Sequence, residues 1–539
     1  MAFDYIVVGG GSAGATLASR LSEDSNNSVC LVESGGKGEH PFVRIPTGSV
    51  LMISDKLWKF NNWCFYTEPQ KGLNNRQSYQ PRGKSLGGSS AINAMVYIRG
   101  NRRDYDQWQQ LGCEGWGYDD VLPYFRLSEN NIRGADDFHG ASGPLHVSDP
   151  QFPRPITAEW IASGPEAGIP INSDFNGEQH TGIGHFQTTT FHDGKRLRER
   201  CSSSAAFIQP NLDRPNLTVL TRCHATRVLF DGKKAVGVEY EKKGKRVTLQ
   251  ANKEVILCAG AFQSPQLLLL SGVGPRDELE KHGIPLVHEL PEVGKNLQDH
   301  IDFIAGYNVN TNNTFAFAVV AMCRFFLGIF DWFIRRKGLL TSNYAEGAAF
   351  FKADGSTEDW PDIQLHMVPG KVENHGRDLK LGYGISVHTC ILRPESRGDV
   401  SLKSSNPLDP PRINTNFLGD ERDAQTLLNG VKRTRALMAA KPIANYITGE
   451  TTLAGVETDE DLMEVIRNKA DTVYHPIGTC RMGSDDASVV DLELKVRGIE
   501  GLRVVDASIM PRLISGNTNA TSIMIAERAA DFISGNRRA

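Results

Sequence analysis

The chain opens on Tyr5-Ile-Val-Val-Gly-Gly-Gly-Ser-Ala-Gly14, a Gly-x-Gly-x-x-Gly set between an apolar run and an amphipathic one, and this leaves few folds open. Tyr5 to Val8 reads as a buried strand and the residues through Leu21 as a helix. Val29-Cys-Leu-Val-Glu33 reads as a second strand. The three glycines serve different ends: Gly9 makes a tight turn, Gly11 lets backbone approach a pyrophosphate, and Gly14 lets the helix pack closely on the strand. Glu33 lies roughly 20 residues beyond the glycines, where a carboxylate accepts hydrogen bonds from a ribose diol. The unit is a dinucleotide-binding βαβ. It holds an ADP moiety and does not by itself distinguish NAD from FAD.

At 539 residues the chain is too long for one core, so two large domains are expected. Lys plus Arg number 59 and Asp plus Glu 63, a net charge of −4, which excludes a basic nucleic-acid footprint. The nine cysteines are odd in number and never spaced C-x-x-C, so neither a disulfide framework nor a zinc site is expected, and no metal is expected. Structured sequence begins at Phe3 with no signal peptide before it, and a cytoplasmic location is the default expectation.

Strand-like Val255 to Gly260 and Leu502 to Asp506 recur far from the start, and a helical pattern follows Asn519. The cofactor domain is therefore discontinuous. The expected fold is α/β, α+β overall: a Rossmann-like FAD-binding domain from 1–154, 216–312 and 469–539, and a substrate domain from 155–215 and 313–468. The second domain is expected to be an antiparallel sheet flanked by helices, with strands such as Gly384 to Leu392.

A second glycine-rich turn spans Gly83 to Gly100, suited to holding a long cofactor at both its diphosphate and its redox end. With Asn93, Tyr97 and Asp106 it resembles the first pattern of the glucose-methanol-choline (GMC) oxidoreductases, FAD enzymes that oxidise alcohols. Gly260-Ala261, Ser264-Pro265, Leu267-Leu268 and Ser271 to Gly274 resemble their second pattern, and Gly294 to His300 a third block typical of them. The resemblance covers essentially the whole chain and lies nearest the choline-dehydrogenase-like and aliphatic-alcohol-dehydrogenase branch.

The resemblance implies FAD held by Gly9, Gly11, Ser12, Ala13, Gly14, Glu33, Ser34, Gly83, Gly88, Ser89, Asn93, Ala94, Met95, Val96, Ala225, Asp506, Ala507, Asn519 and Ala520. Relatives with covalently attached flavin carry a histidine where this chain has Ile92, so the FAD is expected to be non-covalent. The resemblance also implies a catalytic pair beside the flavin N5, assigned to His475 and Asn519. Only the imidazole of that pair is basic, so His475 is the expected general base for hydride transfer from a primary alcohol, while Asn519 orients the substrate oxygen. The helix beginning near Asn519 would aim its positive end at the flavin. His300 is expected to be a packing residue of its loop; His366 and His388 lie within reach of the cavity.

Tyr344, Glu346, His388 and Tyr474 are the expected substrate residues, Glu346 being a candidate for attracting a quaternary ammonium. The expected partners are a small-molecule alcohol and a quinone or other electron acceptor. A same-family oxidase using oxygen and a choline dehydrogenase stay open. More distant rivals are lyase or light-driven decarboxylation chemistry, and a protein that keeps FAD only as a structural ligand.

The apolar run at 315–337 favours a hydrophobic or polyether alcohol. Arg324 and Asp331 interrupt it before the roughly 18 apolar residues that a membrane span needs. It reads either as a helix lining the substrate entrance or packing on a neighbour, or as an interfacial helix with Phe325, Phe326, Phe330 and Trp332 in lipid and Arg335, Arg336 and Lys337 near headgroups. The second reading would bring the protein to the inner face of the membrane. Oligomeric state stays open.

Overall fold

The computed structural model describes residues 1–55, 60–316, 328–374, 381–536 and 538–539. Two sheets organise it. In the first, Leu217–Thr221, Val29–Glu33, Ala2–Val8 and Lys245–Leu257 lie side by side in that order and run parallel, and Leu502–Val504 pairs with the end of Lys245–Leu257. The earlier half of Lys245–Leu257 continues antiparallel to Lys234–Lys242, which pairs in turn with His224–Asp231. Ile6, Val7, Val29, Leu31, Val255 and Ile256 are fully buried, as a parallel strand covered on both faces requires.

Ala2–Val8 is flanked on one side by the strand that follows it through the helix Ser12–Leu21, and on the other by a strand that arrives more than 200 residues later. The first glycine turn therefore sits at a topological switch point, beyond the carboxyl ends of the strands. Strands from the start, middle and end of the chain share this sheet, so its domain is discontinuous in sequence.

The second sheet is antiparallel, in the order Ile447–Glu450, Ile301–Val309, Gly384–Ile391, Ile363–Val368, Gly347–Phe351, Gly182–His185; Asp471–Thr472 also pairs with Ile301–Val309. The 19-residue helix Glu421–Ala439 buries Leu427, Leu428 and Val431 in the same core as Ile363, Leu365 and Val387. One boundary differs from expectation. Ile301–Val309, assigned to the cofactor domain on sequence, is an inner strand of the second sheet. It is almost wholly buried, and Phe303, Ile304 and Ala305 give it an apolar centre like that of the parallel strands.

The two glycine-rich turns also differ from expectation, for they do not stand at opposite ends of a ligand. Gly87 N–H donates to Gly10 O at 2.7 Å, and a Cβ on Gly88, whose φ is +50°, would lie 2.6 Å from Gly11 Cα. The chain reaches the far end of the cavity only at Asn93–Val96.

The helix Gly260–Leu270 contains Pro265, which has no N–H to give the Ala261 carbonyl. The Thr479 hydroxyl donates to that carbonyl instead, at 2.6 Å, tying the helix to the segment that carries His475.

Residues 328–335 are helical. Phe330, Phe333 and Ile334 are 70%, 63% and 62% exposed, whereas Trp332 is buried under the Arg336 guanidinium. Trp332 is thus a core residue and not a lipid-facing one, while Phe325 and Phe326 lie outside the described residues.

Candidate active site

A cavity of about 380 Å³ is walled by both glycine turns, the carboxyl ends of the parallel strands and the inner strands of the antiparallel sheet. At one end the Glu33 carboxylate accepts from Gly10 N at 2.8 Å and from Gly35 N at 2.7 Å. Burial pushes its pKa up, against the pull of those amides and of Lys84. Two of its roughly four lone-pair sites remain for a diol. The Ser34 hydroxyl beside it pairs with His224 Nδ1 at 3.0 Å.

The helix Ser12–Leu21 starts at Gly11 with no side-chain cap, leaving its first-turn amides to an anion at the cavity wall. Gly14 does not line the cavity; a Cβ there would lie 1.9 Å from Gly9 O, so it serves packing alone. These residues fit an ADP moiety.

Further along, Gly83, Gly88, Ser89 and Asn93 to Val96 form one wall, and Ala225, Asp506 and Ala507 another. The buried Asp506 carboxylate accepts from Gly260 N, the Ser264 hydroxyl and Ser508 N, fastening the second family pattern to the last strand of the sheet. Three non-glycine residues on the cavity wall adopt left-handed backbone: Met95 at φ +58°, Tyr344 at +68° and Tyr474 at +76°. Such a conformation costs roughly 1–3 kcal/mol each. Each is held in the same way, by a side-chain oxygen two residues earlier that accepts its N–H: Asn93 Oδ1 at 3.0 Å, Ser342 Oγ at 3.1 Å and Thr472 Oγ1 at 2.7 Å. Arg200 Nη1 in turn donates to both oxygens of Asn93.

Beyond Tyr474 comes a chain of hydrogen bonds whose direction can be traced from a carbonyl. Leu392 O can only accept, so His300 Nε2, 2.9 Å away, carries the proton. Burial holds His300 neutral, its pKa down to about 3, so its Nδ1 is bare. His475 Nδ1, 2.9 Å from that atom, must then be the N–H donor. Burial, with His300 and His366 nearby, drops the His475 pKa well below 6.5, so this ring too is neutral and its Nε2 is a lone pair. Asn517 Nδ2 donates to it at 3.0 Å, and Asn517 Oδ1 accepts from Gln364. The backbone of His475 is fixed by its own N–H to Asp299 Oδ1 at 2.8 Å. The arrangement presents an oriented, unprotonated imidazole nitrogen and an amide at the cavity wall.

Several expected roles change. The amide beside His475 belongs to Asn517, not Asn519. Asn519 opens the helix Asn519–Ser534, and its Oδ1 accepts from the Ser12 hydroxyl at 2.7 Å. The start of that helix does lie at the wall, through Thr518, Asn519 and Ser522, whereas Ala520 is buried behind it. Glu346 is absent from the cavity. Its carboxylate is buried and accepts from Arg154 N, the Thr157 hydroxyl and the Ser342 hydroxyl, with burial raising its pKa, so no charge is presented to a substrate. His388 lines the cavity with Nδ1 2.6 Å from Asp302 Oδ2. His366 also lines it, with burial pulling its pKa down to about 4. His300 is more than packing, since it sets the tautomer of His475. Nothing in its own segment signals this, because its partner lies 175 residues away.

Comparison with known proteins gives the chain its relatives. A family model described as GMC oxidoreductase matches residues 3–302 for its N-terminal part and 394–526 for its C-terminal part. The chain is 46% identical to an alcohol dehydrogenase [acceptor] of Pseudomonas putida over 98% of this chain and 95% of that one. It is 42% identical to an oxygen-dependent choline dehydrogenase of Escherichia coli K12, over 99% and 96%. Among solved structures, pyridoxine 4-oxidase from Mesorbium loti superposes with a TM-score of 0.88 at 28% identity, covering 99% of this chain and 100% of that one. A formate oxidase variant of Aspergillus oryzae RIB40, studied for its effect on FAD modification, does so at 0.90 and 26%, covering 99% and 98%.

Removing the members of the relay should separate their roles. His475→Ala should keep its cofactor and lose on the order of 10²–10⁴ in the reductive step measured by rapid mixing. Asn517→Ala should lose less, since one oriented hydrogen bond is worth roughly 2–4 kcal/mol at most. Asn519→Ala should change cofactor retention more than reduction rate. In the unaltered protein the reduction rate should fall as acidity protonates His475, and only below pH 6.5, because its pKa is lowered. A reductive step within about threefold of the unaltered rate in His475→Ala would remove it as the base.

Proposed function

Because the chain belongs to the GMC oxidoreductase family, we propose that it is an FAD-dependent dehydrogenase that oxidises a hydrophobic primary alcohol, or an extended polyether alcohol, to the aldehyde and passes the electrons to a quinone or another non-oxygen acceptor. The observation that carries the reading is the unprotonated Nε2 of His475 at the cavity wall, fixed through His300 and beside Asn517. Bound FAD supplies the acceptor for the hydride that leaves the alcohol carbon. Glu33 would hold its ribose, the amides at Gly11 to Ala13 its pyrophosphate, and the walls at Asn93 to Val96 and Asn517 to Asn519 its ring. His475 takes the hydroxyl proton on Nε2 once the substrate hydroxyl displaces the Asn517 N–H that occupies that lone pair, and Asn517 then hydrogen-bonds the oxygen on which charge develops.

Choline fits this cavity poorly. Its lining carboxylates, Glu33 and Asp506, are both engaged by backbone amides, and Glu346 faces elsewhere. A dye-reduction screen with and without oxygen decides the matter: hydrophobic primary alcohols should turn over faster than choline, and dye or quinone faster than oxygen. Choline as the best substrate, or stoichiometric peroxide at a comparable rate, would contradict the reading.

Ile92 is a buried wall residue without a nucleophilic atom, which supports non-covalent FAD. Acid or heat denaturation should then release all the flavin as free FAD; flavin left on the precipitated chain would refute this.

Exposed Phe330, Phe333 and Ile334, with exposed Arg335 and Lys337 beside them, support a peripheral contact with an anionic membrane surface. Among the described residues no helix is long and apolar enough to cross a membrane. Replacing the three apolar residues by serine should abolish sedimentation with anionic vesicles while sparing turnover of short alcohols. Sedimentation unchanged by the replacement would contradict the contact.

A further inference from the structure

A second cluster of ligand-type side chains lies away from the cavity, on the short strand Leu145–Val147 and the loop after Thr190. His146 Nδ1 is a buried nitrogen with no hydrogen-bond partner, 3.8 Å from Asp193 Oδ1. His192 Nδ1 is 3.8 Å from Asp193 Oδ2. The donor atoms of all three residues lie within 4.8 Å of one another, and the two imidazole rings are 4.5 Å apart, centre to centre.

The hydrogen bond on the far side of His192 fixes what these nitrogens offer. His192 Nε2 donates to Asn130 O at 3.0 Å, so in the neutral ring Nδ1 carries a lone pair directed at the cluster. A backbone carbonyl on the distal nitrogen is the usual support of a metal-binding histidine.

The spacing suits a small divalent ion. Donors about 2.0–2.2 Å from a tetrahedral ion stand about 3.4 Å apart; here each imidazole nitrogen is 3.8 Å from one oxygen of Asp193, and the whole set lies within 4.8 Å, so the donors must draw together around an ion. The Asp193 side chain is 66% exposed and has room to close that distance. Two imidazoles and one carboxylate form a borderline-soft donor set that favours zinc-type transition ions over calcium or magnesium.

We propose that His146 Nδ1, His192 Nδ1 and the Asp193 carboxylate form a binding site for a divalent zinc-type ion, with solvent completing a tetrahedron. The ion would staple the loop after Thr190 to the strand Leu145–Val147. That loop continues to Arg200, whose guanidinium holds both oxygens of Asn93 at the cavity wall. The site is therefore a structural clasp behind the alcohol-oxidising cavity.

The flavin-loaded protein, stripped with a chelator, is dialysed against zinc alone, and bound zinc is counted by elemental analysis. The expected result is one zinc per chain in the unaltered protein and affinity weaker by about tenfold or more in Asp193→Asn and in His146→Gln. Zinc should also raise the thermal unfolding midpoint of the unaltered protein and leave that of Asp193→Asn unmoved. Asp193 is a surface residue, so its variant stays folded, as its flavin content will confirm. Zinc counts equal in the unaltered protein and Asp193→Asn, or no zinc retained by the unaltered protein, would overturn the proposal.

Discussion

The hydrogen bond from His300 Nε2 to the Leu392 carbonyl is the constraint on which the chemistry of this protein rests. A carbonyl cannot donate, so the proton order is fixed outward from it through two neutral imidazoles to a lone pair on His475 Nε2. Water around an exposed histidine would let both tautomers and the imidazolium interchange. Here all the ring nitrogens between Leu392 and Asn517 are engaged with one another, and burial disfavours the charged forms. The base is kept unprotonated before any substrate arrives. Its tautomer is set in advance, and only the Asn517 hydrogen bond to Nε2 has to give way to the substrate.

The fold delivers this arrangement by bringing two sheets to one cavity. His300 directly precedes Ile301–Val309, His475 follows Asp471–Thr472, and those two strands are paired, so the antiparallel sheet sets the spacing of the imidazoles. Asn517 comes from the approach to the last helix, whose opposite side packs on the nucleotide-binding unit; Arg20 there is clamped by both oxygens of Glu527. The left-handed backbone at Met95, Tyr344 and Tyr474 gathers at the same cavity, each turn secured by a polar side chain two residues earlier.

What was legible in the sequence was what backbone geometry forces on residue type. Close approach of two main chains admits only glycine, so Gly9 and Gly14 declared their turn, and a strand covered on both faces must be apolar throughout, so Tyr5 to Val8 and Val255 to Leu257 declared theirs. Contacts between distant segments left no such mark. Asn517 and Asn519 stand two residues apart in one short loop, and which amide meets His475 depends on where the helix begins, a matter of register that composition does not encode. Glu346 has the charge of a cation binder, but the groups that absorb it, Thr157 and Arg154 N, lie nearly 200 residues away. Nothing in the composition of Ile301–Val309, apolar but for Asp302, Gly306 and Asn308, marks which of the two sheets it joins.

The proton relay is tested most directly by locating the protons on the two rings. Nitrogen NMR of protein labelled with ¹⁵N in its histidine rings, with the His300→Gln and His475→Gln variants supplying assignments, reports the state of each nitrogen. At neutral pH the expected result is a protonated Nδ1 and a bare Nε2 on His475, and the mirror tautomer, bare Nδ1 and protonated Nε2, on His300. A proton on His475 Nε2, or an imidazolium at either position at neutral pH, would contradict it.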